Sequence, residues 1–322
     1  MMDITTFSDE LVDYARKACI QDVSVLPQLG QTAVVCSKSY QRLLYAHLSD
    51  EEAQQLITRF KFLGGMDVGE RRKAQLGALS YPIASGDQRI RISTVGDYQG
   101  RESLVLRFLY TVDQQHISYF FPEDMQNILA ATRYRGLYLF AGPTGSGKST
   151  LMYQIANEAQ GQVITIEDPV EIEAAHFLQL QTNLKISQDY DELIRLSLRH
   201  HPELLIIGEI RNRETAQAAV RAALTGHRVF ATIHARGVKE TRTRLTELLG
   251  ETTSLNHALQ GVIYQRLMPN AEGDVQGAMA YAFVDAQQSC TWQQTLTQIY
   301  EKGWISNDTF QKEGGQIAPQ SS

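Results

Sequence analysis

Cysteine is scarce in this chain: Cys19, Cys36 and Cys290 are widely spaced among 322 residues and form no C-x-x-C pair. That argues against a disulfide framework and against a cysteine zinc site. A basic surplus is also missing, since 30 Lys and Arg face 36 Asp and Glu for a net charge of −6. Nucleic-acid binders usually carry a positive excess or stripe, so no direct nucleic-acid contact is expected. No apolar run approaches the ~18 residues needed to span a bilayer. The opening Met-Met-Asp-Ile-Thr-Thr-Phe-Ser-Asp-Glu is acidic and lacks the apolar core of a secretory leader. The expectation is a cytoplasmic protein that meets a membrane only through partners. No internal repeat occurs. With 43% hydrophobic and 20% charged residues, the composition is ordinary for a globular protein long enough for two cores.

What is present is concentrated around residue 142. The apolar run from Leu137 to Ala141 reads as a buried strand, and Leu151-Met-Tyr-Gln-Ile-Ala has a helical pattern. Between them lies Gly142-Pro143-Thr144-Gly145-Ser146-Gly147-Lys148-Ser149-Thr150, a glycine loop of the phosphate-binding kind in the strand–loop–helix context it requires. Such a loop turns backbone N–H groups inward on a phosphate, and the following helix N-terminus favours anionic oxygens. In this reading Lys148 reaches the β- and γ-phosphates of ATP, and the Ser149 hydroxyl holds Mg²⁺.

Ahead of the loop, Phe7 to Ala18 reads as a helix with Thr5 or Thr6 as its cap. Short strands follow at Asp22–Leu26, Thr32–Cys36 and Arg42–Ala46, then a helix capped by Ser49 and ending near Gly64. Alternating strands are expected at 78–84, 88–94 and 103–109. Arg89 and Arg91 share a face of one of them, and Arg107 interrupts another. These arginines lie on a solvated face or guard a sheet edge, or else point at phosphates bound elsewhere. The polar and aromatic stretch from Thr111 to Pro122 reads as a linker, with a helix starting at Pro122. This divides the chain into a domain at 1–115, a linker at 116–124, a P-loop α/β domain at 125–305 and a loosely ordered polar tail at 306–322.

After the loop, strand and helix signals alternate: strands at 137–141, 162–166, 204–207 and 229–233, with helices from Ser149, around Tyr190, from Glu214 and from Val238. Near-continuous apolar strands between helices indicate a parallel sheet covered on both faces. Ser254 to Leu267 reads as a further helix, where the sheet signal fades.

Two strand ends carry acids. Leu204-Leu-Ile-Ile-Gly-Glu209 places a carboxylate at the end of a parallel strand, where ligands bind, and Glu209 could orient the attacking water or simply sit beside Arg211. Val163-Ile-Thr-Ile runs into Glu167-Asp168-Pro169-Val170-Glu171, which adds contacts to Mg²⁺ or water or else caps a helix. His227 and His234 bracket the strand at 229–233. Imidazole suits the sensing of a γ-phosphate, although a lone histidine beside a strand is usually an ordinary packed residue.

Taken together, Gly-Pro-Thr-Gly-Ser-Gly-Lys-Ser, Ile-Glu-Asp-Pro-Val-Glu, Ile-Ile-Gly-Glu-Ile-Arg and Leu-Thr-Gly-His-Arg-Val-Phe-Ala-Thr-Ile-His resemble the Walker A, Asp box, Walker B and His box of the type II/IV secretion ATPases. The resemblance extends to Arg91-Ile-Ser-Thr, Arg107-Phe-Leu and Gln265-Arg266-Leu267, and covers most of residues 20 to 270. It implies a smaller α+β, PAS-like N-terminal domain followed by a RecA-like P-loop domain, six subunits in a ring, and ATP held between the domains. It also implies that Arg91 and Arg107 contact the nucleotide, that Glu209 is the catalytic acid with Glu167 as its Asp-box partner, and that His227 and His234 form the His-box pair. An integral-membrane platform protein is the implied partner.

Departures from the family pattern are Asn212 where Asp is usual, His234-Ala-Arg for His-Thr-Asn, and Asp22-Val-Ser-Val for Asp-Ile-His-Ile. A separate docking domain, a tetra-cysteine zinc module and the C-terminal signature of retraction motors are not found in the sequence. That combination resembles the competence-pilus members of Gram-positive bacteria. Type II secretion, pilus retraction, a nucleotide-gated binding protein and a nucleic-acid translocase are the alternatives.

Overall fold

Asp3, rather than Thr5 or Thr6, starts the first helix: its carboxylate accepts the Thr5 N–H at 3.1 Å and the Thr6 hydroxyl at 2.6 Å. An aspartate satisfies a first-turn N–H as well as Ser or Thr does, which moves the start a turn earlier than expected. The molecule is seen in a computed structural model that describes residues 3–28, 30–38, 41–83, 86–114, 117–250, 252–284 and 289–315. It divides between 114 and 115 into two units.

The first unit runs α1 (Ile4–Lys17), β1 (Asp22–Gln28), β2 (Gln31–Lys38), β3 (Gln41–Leu48), α2 (Asp50–Leu63), β4 (Gln75–Ile83), β5 (Gly86–Gly96), β6 (Glu102–Phe108) and the short β7 (Tyr110–Thr111). Six strands form one antiparallel sheet in the order β3-β2-β1-β6-β5-β4. Alternation puts Val23, Val25, Ile90, Ile92, Leu104 and Leu106 on one face, where they pack with Leu11, Leu56 and Phe60 of the two helices. Ser49 and Glu52 form a reciprocal capping box at the start of α2. Near its end Lys61 is fully buried, bonded to Glu102 at 2.7 Å and to the Glu70 carbonyl at 2.6 Å. This is the smaller α+β unit that the sequence pattern describes.

In the second unit α3 (Glu123–Ala131) leads into β8 (Gly136–Ala141), α4 (Lys148–Ala156), β9 (Val163–Glu167), the short β10 (Ile172–Glu173) and β11 (Leu178–Gln181). Then come α5 (Tyr190–Ser197), β12 (Leu204–Ile207), α6 (Arg213–Leu224), β13 (Arg228–Ile233), α7 (Val238–Leu249), α8 (Thr253–Ala258), β14 (Leu259–Pro269), β15 (Val275–Phe283), α9 (Trp292–Glu301) and α10 (Asn307–Lys312). The sheet order is β11-β9-β12-β13-β8-β14-β15, parallel as far as β14, with β15 antiparallel at the edge. Every residue of β8, β9, β12 and β13 is buried, as a parallel sheet covered on both faces requires. Leu137, Leu139 and Ala141 join the cluster that includes α5 to α8, whereas Tyr138 and Phe140 pack on Phe230.

Three stretches differ from expectation. Instead of a helix to Leu267, α8 stops at Ala258 and β14 follows, running parallel to β8. Residues 306–315 are not a loose tail: Ser306 caps α10, and Phe310 is buried and stacked on Tyr300. Glu313 also pairs with Arg266 at 2.6 Å; residues 316–322 of the expected tail lie outside the described residues. Within the expected linker at 116–124, residue 116 lies outside the described residues. Phe120 and Phe121 are buried against Trp304, and the Phe120 N–H donates to the Gly277 carbonyl. Among the described residues no helix is long and apolar enough to cross a membrane.

Candidate active site

β8 delivers Gly142 to the carboxyl edge of the sheet, and Gly147 caps α4 in a left-handed conformation, φ 82°. No side chain caps this helix, so its first-turn N–H groups face the loop and favour an anion. The loop is pressed onto β14. A Cβ at Gly147 would come within 2.7 Å of Gln265 Nε2 and 2.6 Å of Ile117 Cδ1, and one at Gly142 would run into the Gln265 carbonyl oxygen. Thr144 and Gly145 are exposed at the loop tip, Pro143 and Ser149 are half-buried, and Ser146 and Thr150 are buried.

Lys148 is 8% exposed, and its ammonium donates to the carbonyls of Gly142 at 3.1 Å and Pro143 at 2.8 Å. Burial pulls its pKa down to about 8, while Glu209 and then Glu171 oppose that shift. The lysine is thus within electrostatic reach of two carboxylates.

Glu209 reaches this position because β12 ends at Ile207 and the chain crosses Gly208 in close quarters: a Cβ there would lie 3.1 Å from the Tyr190 hydroxyl and 3.2 Å from Glu167 Cα. Its carboxylate pairs with Arg211 and stands 3.8 Å from His234 Nε2. His234 follows β13, the strand between β12 and β8, so these two strand ends bring acid and imidazole together. Asn212, in the place of the usual Asp, caps α6 by accepting the Thr215 N–H at 2.9 Å. Asn and Asp are equivalent in that task.

Glu167 ends β9, the neighbour of β12, but it is turned into the protein. It accepts hydrogen bonds from Tyr153 and, at 2.7 Å, from Thr165 Oγ1. Burial raises its pKa, opposed by those two hydroxyls. Asp168 is exposed, and its charge acts on Tyr190 and Arg211.

His227 does not join these groups within its unit. β13 pairs with β8 so that Arg228 opposes Gly136 and Ile233 opposes Ala141, and the Gly136 N–H donates to the His227 carbonyl. His227 and His234 therefore sit at opposite ends of one strand, about 20 Å apart at the rise of an extended chain. Within its unit His227 lies at the amino edge, away from the phosphate loop.

In the first unit, Arg91 and Arg107 are direct cross-strand partners on β5 and β6, on the face away from the helices. Arg107 also forms a two-pronged pair with Asp22 at 2.8 and 3.1 Å.

Sequence reasoning did not single out Tyr190, Glu171, Tyr153 or Gln265 as site residues. Burial, then Glu209 and Asp168, raise the pKa of Tyr190, whose phenol stands among the acids. Gln265 is 1% exposed, and its amide atoms make no hydrogen bond in good geometry, with the Tyr119 hydroxyl nearby. The polar glutamine inside an otherwise apolar strand, Val262-Ile-Tyr-Gln265, was the available signal.

Among the described residues no three His, Cys, Asp or Glu are grouped to hold a metal by themselves. Mg²⁺ is bound through one or two side chains together with waters and substrate phosphates, and the half-buried Ser149 hydroxyl at the helix start is a ligand of that kind.

A seven-stranded sheet with a phosphate loop after β8 and an acid after β12, two places away, defines a RecA-like P-loop ATPase. The chain belongs to the type II/IV secretion system protein family, whose model matches residues 36–304. It is 42% identical to competence protein ComGA of Streptococcus pneumoniae, over 94% of this chain and 96% of that one. It is 34% identical to ComGA of Bacillus subtilis, over 83% and 77%. The Legionella pneumophila ATPase DotB matches with a TM-score of 0.76 at 23% identity over 95% of each chain, a likeness of fold.

Proposed function

We propose that this ATPase works on ATP with Mg²⁺ and powers assembly of a competence pilus, of the type IV kind, for DNA uptake. The observation that carries the chemistry is the buried Lys148 held at the loop within the electrostatic reach of Glu209. The similarity to two competence proteins supports the biological role.

In this reading the loop from Gly142 to Thr150 holds the triphosphate, with Lys148 on its β- and γ-oxygens. Mg²⁺, held through Ser149 with Asp168 contributing through water, neutralises phosphate charge. Glu209 orients the attacking water, and His234 reports the γ-phosphate to it. Glu167 acts behind them by holding the end of β9. Arg91 and Arg107, cross-strand partners in the first unit, contact nucleotide phosphates, Arg107 exchanging its pair with Asp22 for them. A conformational change driven by the nucleotide supplies a stroke. A hexameric ring passes it to an integral-membrane platform protein from the cytoplasmic side.

The test compares Mg²⁺-dependent hydrolysis by wild type, Lys148→Ala and Glu209→Gln. The expected result is loss of turnover by about 100-fold or more in each, as removal of a positioned acid–base group gives, with ATP still bound by Glu209→Gln. Equal hydrolysis by all three would reject the site. Deletion of the gene should abolish DNA uptake while protein export and twitching persist; the reverse pattern would assign the motor to secretion or retraction.

A further inference from the structure

At the amino edge of the sheet, opposite the phosphate loop, the ends of β8, β12 and β13 enclose a second polar cleft. It has a volume of about 260 Å³ and is lined by Arg133, Arg135 and Arg228, with His201, His227 and Glu203. Each basic group stands just ahead of a strand or at its first residue, so parallel register gathers them at one place.

Arg228 is only 7% exposed, and its Nε has no hydrogen-bond partner. Its guanidinium lies 4.9 Å from the Phe230 ring centroid. A buried guanidinium without a matching anion is a costly arrangement. Burial disfavours the charge on Arg228; Tyr138 and Glu203 oppose that in part, and Arg133 adds to it. Arg135 leans over the turn at Gly226, where a Cβ would lie 3.5 Å from its Nη1. Among the described residues none of the three arginines is in an ion pair, and Glu203 is the single acid lining the cleft. The site is therefore short of negative charge by about two units even with both histidines neutral.

We propose that this cleft binds a phosphate group, as a second anion site separate from the ATP loop. Three arginines less one glutamate match the charge of about −1.5 to −2 that a phosphate monoester carries at pH 7. A carboxylate would leave one positive charge unmet. The planar forks of arginine suit phosphate oxygens in pairs. The cleft is smaller than the roughly 300–1,000 Å³ of sites that enclose whole small molecules, so it takes the phosphate and leaves the rest of the ligand outside. A free polyphosphate and the phosphomonoester headgroup of phosphatidic acid share that chemistry.

The test uses the full chain carrying Lys148→Ala, which disables the ATP loop, and titrates it with inorganic pyrophosphate. A parallel arm sediments the same protein with vesicles of phosphatidylcholine and phosphatidic acid, whose headgroup is a phosphate monoester. Arg133 and Arg135 are exposed, so Arg133→Ser and Arg135→Ser are added to remove charge without disturbing the core. Pyrophosphate binding that weakens about tenfold or more with each serine supports the site with a free phosphate as ligand. Vesicle binding lost in the same way supports it with a lipid headgroup. Binding in either arm that survives both substitutions overturns the proposal, as does the absence of binding in both arms before they are made. A change in oligomeric state on substitution, without phosphate binding, also overturns it and assigns the cleft to a carboxylate of another copy.

Discussion

The depressed pKa of Lys148 makes nucleotide affinity depend on pH in a calculable way. Burial places the free-state pKa at about 8 against the ordinary 10.5, and a phosphate beside the ammonium favours its charged form. The charged fraction of the free protein falls through pH 8, so the dissociation constant should rise by about tenfold between pH 7 and pH 9. Stability of the empty protein moves the other way. The unfolded chain keeps the proton up to pH 10.5 while the folded one releases it near 8, so folding gains up to roughly 3 kcal/mol from this group across that window as pH rises. Calorimetric titration with a non-hydrolysable ATP analogue at pH 7, 8 and 9 measures the first effect. Lys148→Arg, whose guanidinium stays charged throughout, should bind more weakly but with no pH slope. Glu209→Gln should shift the wild-type midpoint to lower pH, because that carboxylate now opposes the depression. A flat wild-type profile to pH 9, or an equal slope in Lys148→Arg, would refute the reasoning.

Two further substitutions test the scaffold. Lys61→Met strands Glu102 in the interior of the first unit; a loss of about 3–5 kcal/mol is expected in urea unfolding, largely recovered by adding Glu102→Leu. Asn212→Ala removes the cap of α6 and should cost about 1 kcal/mol, while Asn212→Asp should leave both stability and turnover near wild type; a turnover defect in Asn212→Asp would give the asparagine a chemical role.

The parts of the molecule legible in the sequence are those where one physical signal had no competitor. Leu137 to Ala141 and Leu204 to Ile207 are short, wholly apolar and followed by glycine, and both are interior strands of the sheet. The segment after Thr253 failed because two periods coincide there. Leu255, Leu259, Val262 and Ile263 recur at helical spacing, yet β14 is buried on both faces and so shows no alternation to contradict a helix. Gly261, where a Cβ would collide with the Phe283 ring, and the β-branched pair after it were the discriminating residues. The tail misled in the opposite way, since its polar composition hid a single anchor, Phe310, with Glu313 tied to Arg266.

At the site, Glu209 and Arg211 are near in sequence and meet, whereas His227 and His234, only seven residues apart, are separated. His227 and His234 are both seven residues or fewer from the middle of β13, and a strand carries its two ends to opposite edges of the sheet. One edge receives the end of every parallel strand and hence the ATP chemistry; the other receives every beginning. A basic residue just before a strand therefore points to the amino edge, and Arg135, His227 and Arg228 together mark a second charged surface that no reading confined to the phosphate loop would reach.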